Sequence, residues 1–379
     1  MNITVYGALT GNGHRSVLNA LAENFDALGQ PVEADEDFYE TVCESNRIMS
    51  DFYNLIQKRS MRLLETLSEL YLLEGPQQRE RQYPMFRQYL AKHLPADTDA
   101  VVSVTPLINY PIIRYLSEVG AHTKFYVVVT DPYCTMYPGF EAKGATAYFC
   151  PNSISRDQLI QKGVPRTKIL VTGYPLRKQF FRTINQEETR ESLSIHESRI
   201  ICINCGAGGN AEYFPMITAV VKAVPRTYRF LVICGGNPPL YHLLNEKLSG
   251  FENVTLFGFV DHMEELLRVS DVCITKAGAN AVYESLATET FPLIVGFNGL
   301  AYQEKGVYDF LATEYGISQR MTKTGDLIDF LNRELNEDLL KNFRNRLHRA
   351  PVENGGLRIV KSILTDIGKD GRREDRHGV

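Results

Sequence analysis

Short runs of β-branched and apolar residues recur along this chain, separated by stretches with helical periodicity. The runs that predict strands are 2–6, 100–104, 125–129, 145–149, 168–171, 200–204, 229–234, 254–258, 271–275 and 292–296. Strands alternating with helices predict an α/β fold, with parallel sheets covered by helices on both faces. The strands form two groups, over about 1–172 and about 196–320, and 379 residues suffice for two domains of ordinary size. The expected first domain is 1–174. A linker over 175–195 turns polar from Asn185 to Arg190, and a second domain spans 196–355. A helix over 356–368 and a charged tail over 369–379, expected to be disordered, complete the chain.

Residues 38–95 read as a helical insertion within the first domain. Phe52, Leu55, Ile56, Leu63, Leu64, Leu67, Leu70, Tyr71 and Leu73 form an apolar stripe, with Lys58, Arg59, Arg62, Arg79, Arg81, Arg87 and Lys92 near it. Such a stripe either covers the sheet or offers an amphipathic surface to lipid headgroups. A net charge of −4 argues against a general nucleic-acid binder. No apolar run approaches the roughly 18 residues of a membrane span. The N-terminus runs straight into a strand, so no signal peptide is expected. Seven scattered cysteines, several in apolar runs, read as free thiols of a cytoplasmic protein. Cys202 and Cys205 have CxxC spacing, but no second pair completes a zinc site.

Glycine turns carry the chemistry. Helix N-termini expose unpaired N–H groups and a partial positive charge, and glycine lets an anion approach. Residues 205–210 (CGAGGN), 234–237 (CGGN) and 276–280 (KAGAN) each follow a strand. Three such turns at the strand ends of one open sheet suggest a diphosphate site. Glu284, about two turns into the helix after KAGAN, suits a ribose diol; Gln303 and Glu304 suit sugar hydroxyls, or they simply open the next helix. A fourth turn, GALTGNGHRS at 7–16, places His14 at the start of a helix. That turn is also a Rossmann fingerprint lacking its third glycine, with Glu33 at a ribose distance, so an NAD-dependent oxidoreductase is an alternative. Asp35-Glu36-Asp37 has the spacing of a metal-binding DxD but reads as a helix start or cap, with no metal expected.

GNGHRS, SVTPL (103–107), VVVTD (127–131), FCPNSISRDQLIQKGVPRTKILVTGYPLR (149–177), CGAGG, LFGFVDHMEELL (256–267), ITKAGANAVYESLA (274–287) and YQEKG (302–306) follow one another along nearly the whole chain. This ordered set resembles glycosyltransferase family 28, in particular the monogalactosyldiacylglycerol synthases and the processive diacylglycerol glucosyltransferases. The GlcNAc transferase that forms lipid II is a more distant relative. The resemblance implies a GT-B fold, two Rossmann-like domains with parallel sheets facing across a cleft, and a C-terminal helix crossing back to the first domain. It implies a UDP-sugar donor held by the second domain, an acceptor held by the first, and inversion at the anomeric carbon. Phe259 and Val260 would meet the uracil, with Val260 doing so through its backbone. Gly206, Ala207, Gly208, Gly209, Gly278 and Ala281 would lie at the phosphates, Glu284 at the ribose, Gln303 and Glu304 at the donor sugar, and Gly13 would also contact the donor. His14 matches the general base, and Asp131 orients it or the acceptor.

Where the lipid-galactosylating relatives have His and Trp after that aspartate, this chain has Thr135 or Met136 and no tryptophan at all. Tyr302 stands where they often carry glycine. The expected acceptor is a diacylglycerol-type lipid reached at the membrane surface through the 38–95 helices. A soluble hydroxyl acceptor, a non-catalytic sugar-nucleotide-binding subunit and a UDP-GlcNAc epimerase are the other readings.

Overall fold

A computed structural model of the chain describes residues 1–296 and 299–374. It divides into two compact units. The first comprises Met1–Asn54, Thr66–Lys178 and the segment from Glu353 onward; the second comprises Leu55–Glu65 and Gln179–Val352.

In the first unit, β1 (Ile3–Tyr6), β2 (Glu33–Asp35), β3 (Ala100–Ser103), β4 (Lys124–Val128), β5 (Ala147–Cys150) and β6 (Ile169–Val171) make one parallel sheet, ordered β2-β1-β3-β4-β5-β6. The central strands β1 and β3 are buried along their whole length, as parallel strands covered on both faces must be. Its helices are α1 (Gly13–Ala27), α2 (Phe38–Val42), α3 (Glu44–Arg59), α4 (Met61–His93), α5 (Asn109–Val119) and α6 (Ser153–Gln161). On α1, Val17, Leu18, Leu21 and Phe25 recur at helical spacing and are buried.

The strand β2 was not among the sequence-predicted runs. Its three residues, Glu-Ala-Asp, are polar and lie at the sheet edge, where strands are short and often charged. The DxD segment is therefore split. Asp35 pairs with Tyr6 in the sheet, while Glu36 and Asp37 form ion pairs with Arg15 and Arg47. Asp37 does stand at the start of α2, but its side chain does not cap the helix.

The second unit contains α7 (Gln186–Ser192), β7 (Arg199–Asn204), α8 (Tyr213–Ala223), β8 (Tyr228–Ile233), α9 (Pro238–Leu248), β9 (Val254–Phe257), α10 (Met263–Arg268), β10 (Val272–Thr275), α11 (Ala279–Ala287) and β11 (Phe291–Ile294). After these come α12 (Val307–Tyr315), α13 (Thr324–Asp329) and α14 (Glu337–Arg349). Its parallel sheet is ordered β11-β10-β7-β8-β9. The polar run from Asn185 is folded rather than a bare linker: the Asn185 side chain caps α7 by accepting the Glu188 N–H.

The last helix, α15 (Gly355–Glu374), belongs to the first unit and packs on α1. Glycines permit that approach. A Cβ on Gly355 would lie 2.2 Å from the Gly173 carbonyl oxygen, and one on Gly356 2.9 Å from Asn24 Nδ2. Asp366 then anchors the helix, pairing with Lys124 Nζ at 2.9 Å and accepting from the Tyr126 hydroxyl at 2.8 Å. The backbone stays helical through Glu374, past Lys369, where the charged run predicts loss of order; the helix simply continues beyond its buried face at Ile359, Val360 and Ile363. Residues 375–379 of that expected tail lie outside the described residues.

The predicted insertion stripe divides between two environments. Ile56 and Leu64 are buried, whereas Phe52, Leu55 and Leu63 are exposed. Leu70, Tyr71 and Leu73 lie outside the described side chains. No helix among the described residues is long and apolar enough to cross a membrane.

Candidate active site

In each sheet the chain reverses its direction of strand addition once. Ligands of open α/β sheets bind at the carboxyl ends of the strands flanking that point. In the first unit the reversal falls between β1 and β3. His14, in the first turn of α1 after β1, bridges it: Nδ1 lies 2.9 Å from the carbonyl oxygen of Val104, the residue after β3. A carbonyl only accepts, so Nδ1 carries the hydrogen and Nε2 carries the lone pair. His14 is half-buried, and desolvation by the protein around it pushes the imidazole down from 6.5 to about 4, against the opposing effect of the Val104 bond. The ring is therefore neutral at physiological pH, with a basic nitrogen of fixed identity.

The turn that presents His14 is held by the helical insertion. Gly11 N–H donates to Asn54 Oδ1 at 2.8 Å, and Asn54 Nδ2 donates to the Leu9 carbonyl at 2.7 Å. Glu40, buried on α2, accepts the Leu9 N–H at 3.0 Å and the Ser50 hydroxyl. Gly11 takes a positive φ of 69°, which glycine adopts without penalty. Gly13 begins α1 at the surface.

Asp131 follows β4, also at the carboxyl edge. Its Oδ2 accepts the Tyr137 N–H at 2.8 Å, which fixes the 131–137 turn. The Val104 carbonyl holds the His14 Nδ1 position that the sequence reading offered to Asp131. Burial pushes the Asp131 carboxyl up from 3.8 to about 7. The folded state thus retains a proton that the unfolded state has already released. This group's contribution to stability is full below about 3.8 and is lost as pH rises through about 7. Asp131→Asn keeps an acceptor for Tyr137 and removes the titration, so it should raise the thermal midpoint more at pH 8 than at pH 4. Equal shifts at both pH values would contradict the assignment. Of the two candidates for the position of the relatives' His, Met136 is buried and Thr135 is half-buried.

In the second unit the reversal falls between β7 and β10. The turn after β7 is held by its own atoms. Gly206 N–H donates to Asn204 Oδ1 (2.8 Å), Gly209 N–H to the Gly206 carbonyl (3.0 Å) and Asn210 N–H to the Cys205 carbonyl (2.9 Å). Among the described residues the N–H groups of Ala207 and Gly208 have no protein partner, so these two remain for an anion. The turn after β8, read as a further phosphate site, also braces the first. Gly236 N–H donates to the Ala207 carbonyl (2.8 Å), and Asn237 donates to the Gly209 carbonyl (2.7 Å) while its oxygen caps α9. The two turns touch so closely that a Cβ on Gly209 would lie 2.1 Å from the Cys234 carbonyl oxygen.

Lys276, which the sequence reading left without a role, stands at the end of β10 beside both turns. Its Cε lies 3.9 Å from a Cβ built on Gly206 and 3.3 Å from one built on Gly278. Gly278 starts α11, and Ala281 and Glu284 lie one turn apart on its half-buried stripe, while Val282, Tyr283, Ser285 and Leu286 face the core. Glu304, which the resemblance sets at the donor sugar, is buried. One oxygen accepts the Ala301 N–H at 3.2 Å and the other lies 3.8 Å from Lys276 Nζ. Gln303, beside it, is half-buried. After β9, Phe259 is 70% exposed and Val260 half-buried. An aromatic ring left in water at the ligand-binding edge of a sheet offers a stacking surface. Among the described residues no cluster of three or more His, Cys, Asp or Glu is placed to hold a metal ion.

Residues 14–176 match the family model of monogalactosyldiacylglycerol (MGDG) synthase, and residues 200–305 match that of the glycosyltransferase family 28 C-terminal domain. These two stretches give the chain the domains of a family-28 glycosyltransferase. It is accordingly a hexosyltransferase, and its two Rossmann-like units form the GT-B fold. Processive diacylglycerol beta-glucosyltransferase of Staphylococcus epidermidis is 25% identical over 272 residues, 71% of this chain and 68% of that one. The protein of that name from Bacillus cytotoxicus is 26% identical over 301 residues, 77% and 75% of the two chains. Among solved structures, Acinetobacter baumannii MurG matches with a TM-score of 0.63 at 14% identity, over 96% of this chain and 99% of that one.

The family-28 motifs named in the sequence thus fall at the carboxyl edges of the two sheets. The partners that hold them were not legible. Val104 acts through a backbone carbonyl, and Glu40 and Asn54 are polar residues of an insertion without a local signature. Lys276 carried a signal, a lysine at a strand end directly before a glycine turn.

Proposed function

We propose that this family-28 enzyme transfers a hexose from a UDP-sugar to a diacylglycerol-type lipid, with inversion and without a metal. The carrying observation is His14, neutral, at the reversal point, with Nδ1 bonded to Val104 and Nε2 left as the base. The acceptor hydroxyl gives its proton to Nε2 as its oxygen bonds to the anomeric carbon. The bond from that carbon to the diphosphate oxygen breaks, and UDP leaves with the electron pair. An α-linked donor gives a β-glycoside. Positioned general bases contribute typically ~10²–10⁴-fold.

The uridine would stack near Phe259, with the Val260 backbone at the uracil and Glu284 at the ribose. The Ala207 and Gly208 N–H groups, the Gly278 turn and Lys276 would meet the diphosphate, stabilising charge as it develops on the leaving group. Glu304 would orient Lys276, leaving Gln303 for the sugar. Assays with UDP-glucose, UDP-galactose and UDP-GlcNAc over diacylglycerol vesicles test the reading. Turnover of donor alone without a transferred sugar would favour epimerisation instead.

The lipid acceptor is supported by the names of the relatives and by the outer face of α3. Ile48 (60% exposed) and Met49 lie on it, with Phe52 (50% exposed) one turn further along, and Arg47 and Arg59 are on the same helix. Exposed apolar residues beside cations suit an anionic membrane surface. Such a face supports a peripheral seat on a cytoplasmic membrane surface. Phe52→Glu should reduce co-sedimentation with anionic vesicles several-fold while leaving UDP binding unchanged. Equal sedimentation of both forms would point to the soluble-acceptor reading.

A further inference from the structure

We propose that the elbow between α3 and α4 is a strap over the diphosphate turn, with Lys58 as its phosphate contact; this rests on the UDP-sugar reading above. The elbow, Leu55–Glu65, packs with the second unit although the chain on either side of it belongs to the first. Two polar tethers hold it there. Met61 N–H donates to Glu212 Oε2 at 3.3 Å, and Glu65 Oε1 pairs with Lys305 Nζ at 3.1 Å. Met61 is buried and lines the same pocket as Lys276 and Glu304. The backbone itself comes close, since a Cβ on Gly299 would lie 3.4 Å from the Arg62 Cα.

This docking lays the stem of Lys58 on the diphosphate turn. A Cβ on Gly208 would meet Lys58 Cε at 2.9 Å and Cγ at 3.4 Å. Gly208 is one of the two residues whose N–H lacks a protein partner. Lys276 approaches the same turn at Gly206, but its ammonium faces Glu304. Lys58 is exposed, and among the described residues no carboxylate pairs with it. Two open amides and an unpaired ammonium therefore converge on one turn, as a doubly charged diphosphate requires. Glycine at 208 is explained by the same contact, because a side chain there would displace the lysine. Asn54, which clamps Gly11, lies one helical turn before Lys58 on α3.

Calorimetric titration of the full chain with UDP and with uridine tests this. Lys58→Ala should weaken UDP binding at least about fivefold, the scale of a solvent-accessible charged hydrogen bond, and leave uridine binding unchanged. Lys58→Arg should restore most of the loss. Equal UDP affinity in Lys58→Ala and wild type would overturn the strap and leave the donor reading standing. A parallel loss of UDP and uridine affinity would also overturn it, as a general disturbance of the unit. Wild-type protein that binds no UDP would refute the donor reading itself.

Discussion

His14→Ala should lower turnover by ~10²-fold or more and leave UDP affinity nearly unchanged. The imidazole belongs to the first unit, away from the turns proposed to hold UDP, so the loss should appear in kcat. The substitution also removes the bond to Val104, so circular dichroism and the thermal midpoint must show that α1 still forms. The pH profile gives an independent check. A base depressed to about 4 stays neutral from physiological pH down to that value, so its acid limb in kcat/KM should lie near pH 4, not at the ordinary 6.5. Activity assignable to this group is lost as pH falls through the limb. An acid limb at 6.5 would describe a fully solvated imidazole and contradict the desolvated one.

The second large effect is expected from Gly209→Ala. This glycine has a φ of +69° and no room for a Cβ against the Cys234 carbonyl and Asn237. Either the backbone of the β7 turn or that of the β8 turn must move. Overpacking of this kind costs roughly 1–3 kcal/mol, and the left-handed conformation adds roughly 1–2 kcal/mol for a residue with a Cβ. Because the two turns are interlocked through Gly236 and Asn237, the shift reaches the Ala207 and Gly208 amides. We expect a lower thermal midpoint together with loss of measurable UDP binding. Gly250→Ala is the control: its Cβ would meet nothing within 4 Å, so both readouts should stay close to wild type. Wild-type UDP affinity in Gly209→Ala would show that the interlock does not shape the donor site.

The contrast between these glycines marks how far the sequence could be read. Long β-branched runs announced their strands because burial on both faces demands apolar residues throughout. The edge strand Glu33–Asp35 announced nothing, since its polar side chains meet water. The glycine turns were legible as turns, yet not in their division of labour. That CGGN braces CGAGG depends on a backbone contact between loops joined to different strands. Likewise the histidine was visible beside its glycines, but its tautomer is set by a carbonyl 90 residues away. Glu304 shows the reverse case. Its motif suggested a sugar ligand, and burial beside Lys276 gives it a partner within the protein. The elbow's attachment to the second unit follows from packing at Met61 and Glu65, for which the helical periodicity carries no signal.

The most direct measurement is an NMR-followed transfer reaction with diacylglycerol vesicles, α-linked UDP-hexoses and no added metal. Wild type should give UDP and a β-linked glycolipid, and His14→Ala almost none. An α-linked product, or transfer that persists undiminished in His14→Ala, would contradict direct displacement assisted by this histidine.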